Sequence, residues 1–268
     1  MLIKLRNSLQ LKRKRLRKNN SMVKGREIFD IVKLGQLKRE INFKNILQWN
    51  SKIFKVNSIR EIYNIPNFQN PIGWQYLQDD IVRTAIKHNG DTITVAITEY
   101  ELEDNFYMRR VAKRLTVISL YEIGDILQNY NIPIENFIIK NIYEMAVLTH
   151  LYPNLPNTRD EIPNIIHDET RGCLFDMNGK KIDIIHSTGK LIICPQCAAL
   201  LQQKDLPQNF VYNLTSEIKK IRKQLFYRIS DFIKKHPLWS IVIGITTQLL
   251  IGTIAGLLAN YFFYGFDK

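Results

Sequence analysis

The stretch IENFIIKNIYEMAVLTHL, Ile134–Leu151, decides the architecture. Its apolar side chains recur at intervals of three and four, the period of an α-helix that buries one face. Upstream, Thr92–Tyr100 (TITVAITEY) and Arg114–Tyr121 (RLTVISLY) are β-branched and apolar, a composition that favours strands. Two strands feeding a long buried helix predict an α/β domain. Glu101–Arg110 (ELEDNFYMRR) reads as a polar connection that folds back over the sheet. Further upstream the pattern predicts a helix near Arg26–Leu37, a short strand around Ile53–Val56, and a helix over Gln75–His88 that stops at Asn89-Gly90. Downstream, Pro153 and Pro156 end the long helix, Asn154–Ile166 reads as loop, and His167–Cys197 is rich in turn residues. Val211–Phe232 reads as a basic helix.

From Pro237 to Phe266 no residue carries a charge (PLWSIVIGITTQLLIGTIAGLLANYFFYGF). A bilayer core takes about 20 apolar residues as a helix, and Leu238–Ala259 fill it, with Trp239 at one end and Tyr261 and Tyr264 at the other as interfacial rings. A core helix of this length, with basic residues on one side only, is unusual, so the expectation is a single-pass transmembrane helix. Ser240, Gly244, Gly252 and Gly256 form a small-residue stripe on it that would let a second helix approach, which predicts self-association.

The formal charge of +13 is unevenly spread. Residues 1–24 hold nine basic side chains and no acid, and residues 213–235 hold seven against Glu217 and Asp231, so the rest of the chain is close to neutral. Basic residues crowd the N-terminal side of the span, which predicts a tail-anchored chain with its large domain in the cytoplasm. The basic flanks suit anionic lipid. Nucleic acid is the competing partner, but aromatic residues are not interleaved with the charge. The expected organisation is a basic arm over 1–24, an α/β domain over 25–210, a basic juxtamembrane helix over 211–236 and a transmembrane helix over 237–266.

Three cysteines in a cytoplasmic chain argue against a disulfide framework. Cys194-Pro-Gln-Cys197 is a CxxC, Cys173 stands 21 positions before it, and His167 six positions earlier still. Two thiolates at that spacing can each reach about 2.3 Å from one ion, which is half of a tetrahedral zinc site. Cys173 and His167 supply the remainder, with Asp168 and His186 as alternatives to His167. A redox CxxC would need a βαβ setting that the pattern lacks.

The order of these pieces, strand, strand, a long helix containing Tyr143-Glu144, then His167-Asp-Glu-Thr-Arg-Gly-Cys173 and Cys194-Pro-Gln-Cys197, resembles the archaemetzincin family of zinc metalloproteases over roughly residues 90–200. The resemblance implies a metzincin-like twisted sheet with an active-site-type helix and a zinc-stapled loop region. It puts Glu144 at the general base, His167 at the third histidine of the catalytic zinc, and Met177 near the Met that follows the site. Tyr143 and Val147 stand where the family has its first two zinc-binding histidines, and Asp168 where it has the first of four cysteines. Only His150 and His167 remain for a catalytic ion, which needs three protein ligands and an open position. The expectation is a membrane-anchored, zinc-binding, non-catalytic binding or effector protein. An active divergent metallopeptidase and an oligomerising or membrane-disrupting effector are the alternatives.

Overall fold

The structure is a computed structural model, and it describes residues 25–66, 68, 76–88, 90–152, 155–156 and 165–265. The expected basic arm and most of the expected Asn154–Ile166 loop lie outside these residues. The chain divides into two compact units, up to Arg222 and from Lys223 onward.

The first unit is an α/β fold on a mixed five-stranded sheet. In chain order its strands are β1 (Glu27–Leu34), β2 (Phe54–Ile62), β3 (Ile93–Thr98), β4 (Met108–Ala112) and β5 (Leu115–Ser119). Their order across the sheet is β2-β1-β3-β5-β4, with every neighbouring pair parallel except β4 against β5. Strands β3 and β5 are buried at every position, which is why they read as unbroken apolar runs rather than as an alternation.

Two expectations are overturned here. The Arg26–Leu37 helix is strand β1, paired on both sides by β2 and β3. Its apolar residues at 28, 29, 31, 32 and 34 satisfy either period, and β-branched Ile28, Ile31 and Val32 together with two neighbours favour the extended form. Gly35, at φ +76° with Tyr100 where a Cβ would stand, closes the strand. The Glu101–Arg110 connection holds the start of the antiparallel edge strand β4, joined to β5 by a tight turn.

Helices α1 (Phe43–Leu47) and α2 (Asp79–Ala85) lie in the crossovers, and α3 (Ile123–Asn129) and α4 (Ile134–Leu151) follow β5. One core forms between the sheet and α4, around Phe29, Ile31, Val95, Ile118, Phe137 and Tyr143. A smaller one fills the opposite face around Val32, Ala96, Val117, Val82 and Ile86. Beyond α4 come α5 (Ile184–Gly189), α6 (Pro195–Gln202) and α7 (Phe210–Ile218). Fourteen residues of α4, Asn136 through Thr149, are buried. The helix is enclosed, not half-exposed as its pattern suggests, because Phe210, Leu214 and Ile218 of α7 join the same core.

The expected basic helix over 211–236 is two helices. The first, α7, belongs to the domain, and its Glu217 is buried. Glu217 accepts from Tyr143 Oη (2.8 Å), Ser51 Oγ (2.6 Å) and the Lys52 amide (2.8 Å), while Trp49 Nε1 donates to Tyr143 Oη (2.9 Å). Burial, ahead of the neighbouring groups, pushes the Tyr143 phenol well above its ordinary range, so it remains a neutral donor.

The second unit holds α8 (Leu225–Lys235) and α9 (Pro237–Gly265). An 18-residue stretch within Pro237–Phe263 has a mean hydropathy of 2.0 and none of it is buried, so α9 is long and apolar enough to span a membrane. A Cβ added at Gly244, Gly252 or Gly256 would meet open space.

Glu217→Ala removes the acceptor for three donors, each costing about 1 kcal/mol or more when stranded. The expected loss is about 3 kcal/mol in chemical denaturation, with Tyr143→Phe costing about 1 kcal/mol on the same scale.

Candidate metal centre

Two backbone devices bring the cysteines together. Cys194 is the residue before helix α6 begins, with Pro195 at the first helical position, and its Sγ accepts from the Cys197 amide at 3.5 Å. That turn sets the two sulfurs of the CxxC side by side at the positive end of the helix. Cys173 arrives on a short parallel bridge to Ile192, held by Leu174 N–H to Ile192 O (2.9 Å) and Ile192 N–H to Gly172 O (3.0 Å). Gly172 sits at φ +73°, where a Cβ would come within 3.1 Å of the His186 carbonyl oxygen. The Cys194 amide donates to Cys173 Sγ at 3.3 Å.

His167 completes the group. Its Nε2 lies 3.6 Å from Cys194 Sγ, and the ligand atoms of His167, Cys173, Cys194 and Cys197 all fall within 4.8 Å of one another. Around one ion at about 2.3 Å, tetrahedral geometry puts sulfurs roughly 3.8 Å apart, so small adjustments close the site. The Nδ1 of His167 is hydrogen-bonded to the Glu169 carbonyl oxygen at 3.2 Å. A carbonyl only accepts, so Nδ1 carries the proton and Nε2 offers its lone pair to the cluster. Asp176 Oδ1 also stands 3.1 Å from Nδ1, close enough for charge attraction but off the line a hydrogen bond needs. Asp176 Oδ2 accepts the Arg171 and Cys173 amides, both at 2.9 Å, and so shapes the loop that presents Cys173.

All three cysteines are buried and free of disulfides. The Cys173 thiol is lowered to about 5, chiefly because the Cys197 thiol donates to its sulfur and the Phe175 and Cys194 amides add to this. The Cys197 thiol is raised by the adjoining Cys173 sulfur and by burial. The crowding therefore favours a thiolate at Cys173 over one at Cys197, and a divalent cation would stabilise further thiolates. Three thiolates and an imidazole could hold a metal ion, and they form a donor set that suits zinc.

The other candidate ligands stand elsewhere. Asp168 and His186 are exposed and outside the four-residue group. His150 packs edge-on to Phe210, with its ring nitrogen 3.4 Å from Glu27 Oε1.

Glu144 is buried and already partnered. Lys140 Nζ, fully enclosed one helical turn earlier, donates to Glu144 Oε2 at 2.7 Å, and Arg110 Nη1 of β4 lies 3.8 Å from Oε1. Burial disfavours the Lys140 ammonium, but Glu144, Tyr107 and Asp176 outweigh it and leave its pKa raised. Tyr143 and Val147 are core residues. Glu144 borders a cavity of about 590 Å³ that runs along β4 and the 175–179 loop and also touches Arg109, Arg110, Asp176, Met177 and Asn178. Neither Lys140 nor Asp176 carries a sequence signature of a site. The i,i+4 spacing of Lys140 and Glu144 was the one readable signal.

Comparison with known protein families, with curated proteins and with solved structures finds no match.

With a metal ion held by this group, Cys194→Ser is expected to release it and lower the melting temperature by roughly 10 °C or more, read by metal analysis and thermal unfolding. Glu144→Gln strands a buried ammonium and should cost about 3 kcal/mol. Lys140→Met combined with Glu144→Met should recover most of that loss in a double-mutant cycle.

Proposed function

We propose that the chain is a membrane-anchored, zinc-binding protein of metzincin-like fold that binds a partner and does not hydrolyse it. The observation that carries this reading is the state of Glu144, whose carboxylate is engaged by Lys140 and Arg110. A general base needs a water activated by a metal, and a catalytic zinc needs three protein ligands beside it. Tyr143 and Val147 have no part in such a set, and His167 is drawn to the cysteines. The Cys3His group then acts as a staple that pins the 165–176 loop to the start of α6.

The order of β3, β5, α4, His167 and the cysteines along one folded domain supports the resemblance to the archaemetzincins. The cavity beside β4 gives a binding module its place for a ligand. Among the residues that line it, Arg110 Nε, Asp176 Oδ1 and Asn178 Oδ1 are buried without a hydrogen-bond partner, so a ligand bearing both acceptor and donor groups suits it.

Helix α9 supports the anchor. Its 29 residues rise about 44 Å, enough to cross a hydrocarbon core of about 30 Å with a margin at each interface. The charge asymmetry supports a cytoplasmic side for the folded domain. The stripe of Ser240, Gly244, Gly252 and Gly256 makes self-association within the bilayer part of this proposal.

Metal analysis of the full chain tests the reading directly. One zinc per chain, lost with Cys197→Ser, and no cleavage of casein or of mixed peptide libraries are expected. Two zinc ions per chain, or cleavage abolished by a chelator, would replace the binding module with a divergent metallopeptidase. The anchor is tested separately by carbonate extraction, where the full chain is expected to stay with the membrane pellet.

A further inference from the structure

Helix α8 presents an exposed apolar face. Leu225, Phe226, Ile229, Phe232 and Ile233 are each between 44% and 73% exposed. At about 100° per residue they fall within one arc of roughly 120°. Tyr227, Arg228, Ser230, Asp231, Lys234 and Lys235 occupy the rest of the circumference. Asp231 is engaged by Lys223 at 2.7 Å, so the free charge on the polar side is positive.

Only His236 separates this helix from α9. It leaves helical geometry at φ −134°, ψ 64°, so α8 does not simply continue the span. One residue reaches about 3.5 Å. If α9 crosses a bilayer, the C-terminal end of α8 is therefore held at headgroup level, and its apolar face lies within reach of the acyl boundary. A short helix with a large apolar face, a basic polar face and low mean hydropathy is the composition that lies in an interface and not across it. Lys234 and Lys235 fall in its last turn, beside the span, where an anionic leaflet attracts them.

We propose that α8 is an in-plane membrane helix, seated with Leu225, Phe226, Ile229, Phe232 and Ile233 in the acyl boundary of an anionic leaflet and Arg228, Lys234 and Lys235 among its phosphates. This rests on the reading of α9 as a span. It adds a second, lipid-selective contact that sets where the chain leaves the bilayer. The face is committed to lipid by the covalent continuity with α9 and by the sign of its charge.

The test uses the full chain reconstituted into vesicles of phosphatidylcholine with or without phosphatidylglycerol. Photoreactive p-benzoylphenylalanine is placed at Ile229, on the apolar face, and in a second preparation at Tyr227, on the opposite side. Irradiation is expected to give a phospholipid adduct at position 229 several-fold above that at 227. The yield should rise with phosphatidylglycerol, and Arg228→Gln with Lys234→Gln and Lys235→Gln should remove that rise. Equal yields at the two positions, or an adduct at 229 to a second copy or to the chain's own domain, would overturn the in-plane helix. Carbonate extraction of the same vesicles separates the two readings. A resistant chain without lipid adducts at 229 rejects α8 alone, whereas an extractable chain with strong adducts rejects the span and keeps α8 as a surface contact.

Discussion

A helix enclosed on every side must find a partner for each polar group it carries, because a stranded one costs about 1–3 kcal/mol and a stranded charge more. Helix α4 is in that position, and much of the first unit is arranged around meeting its demands. Asn136 donates to the Thr188 carbonyl oxygen and so ties in α5. Tyr143 reaches Glu217 on α7 and Trp49 near the start of β2. Lys140 and Glu144 neutralise one another, and Arg110 of the edge strand stands beside them. Segments far apart in sequence are thus held by hydrogen bonds to one helix, over an apolar core shared with the sheet.

The metal centre is built on the opposite principle. Its four candidate ligands come from a short run of chain, 167 to 197, whose helices are brief and whose Leu174, Phe175, Ile184 and Leu191 join the main core. Backbone bridges preposition the sulfurs, and Asp176 links the centre to the cavity, since it borders both. An ion held by these four residues would couple metal binding to the folding of this local region, as a structural site does.

The two units present different surfaces. In the first, charged side chains that enter the interior meet hydrogen-bond donors, as Glu217 does, or an opposite charge, as Lys140 and Glu144 do. In the second, exposed apolar side chains occur on both sides of Lys234, Lys235 and His236, in α8 and again along α9. Water penalises that surface, and a bilayer does not.

The amino-acid sequence by itself determined the long helix, the two central strands, the four cysteine-site residues and the apolar span. Each depends on local period, composition or spacing, and each is visible within one window of chain. It did not determine that Arg26–Leu37 is a strand, because five apolar residues in that run fit both periods and only pairing with β2 and β3 separates them. The basic run before α9 likewise divided into a domain helix and an amphipathic one, since the burial of Glu217 depends on Ser51 and Tyr143, 166 and 74 residues earlier in the chain. The role of Glu144 was also a tertiary decision. A carboxylate on a helix is ambiguous until its neighbours are known, and the enclosure that turns Lys140 inward to meet it is created by elements that the helix sequence does not encode.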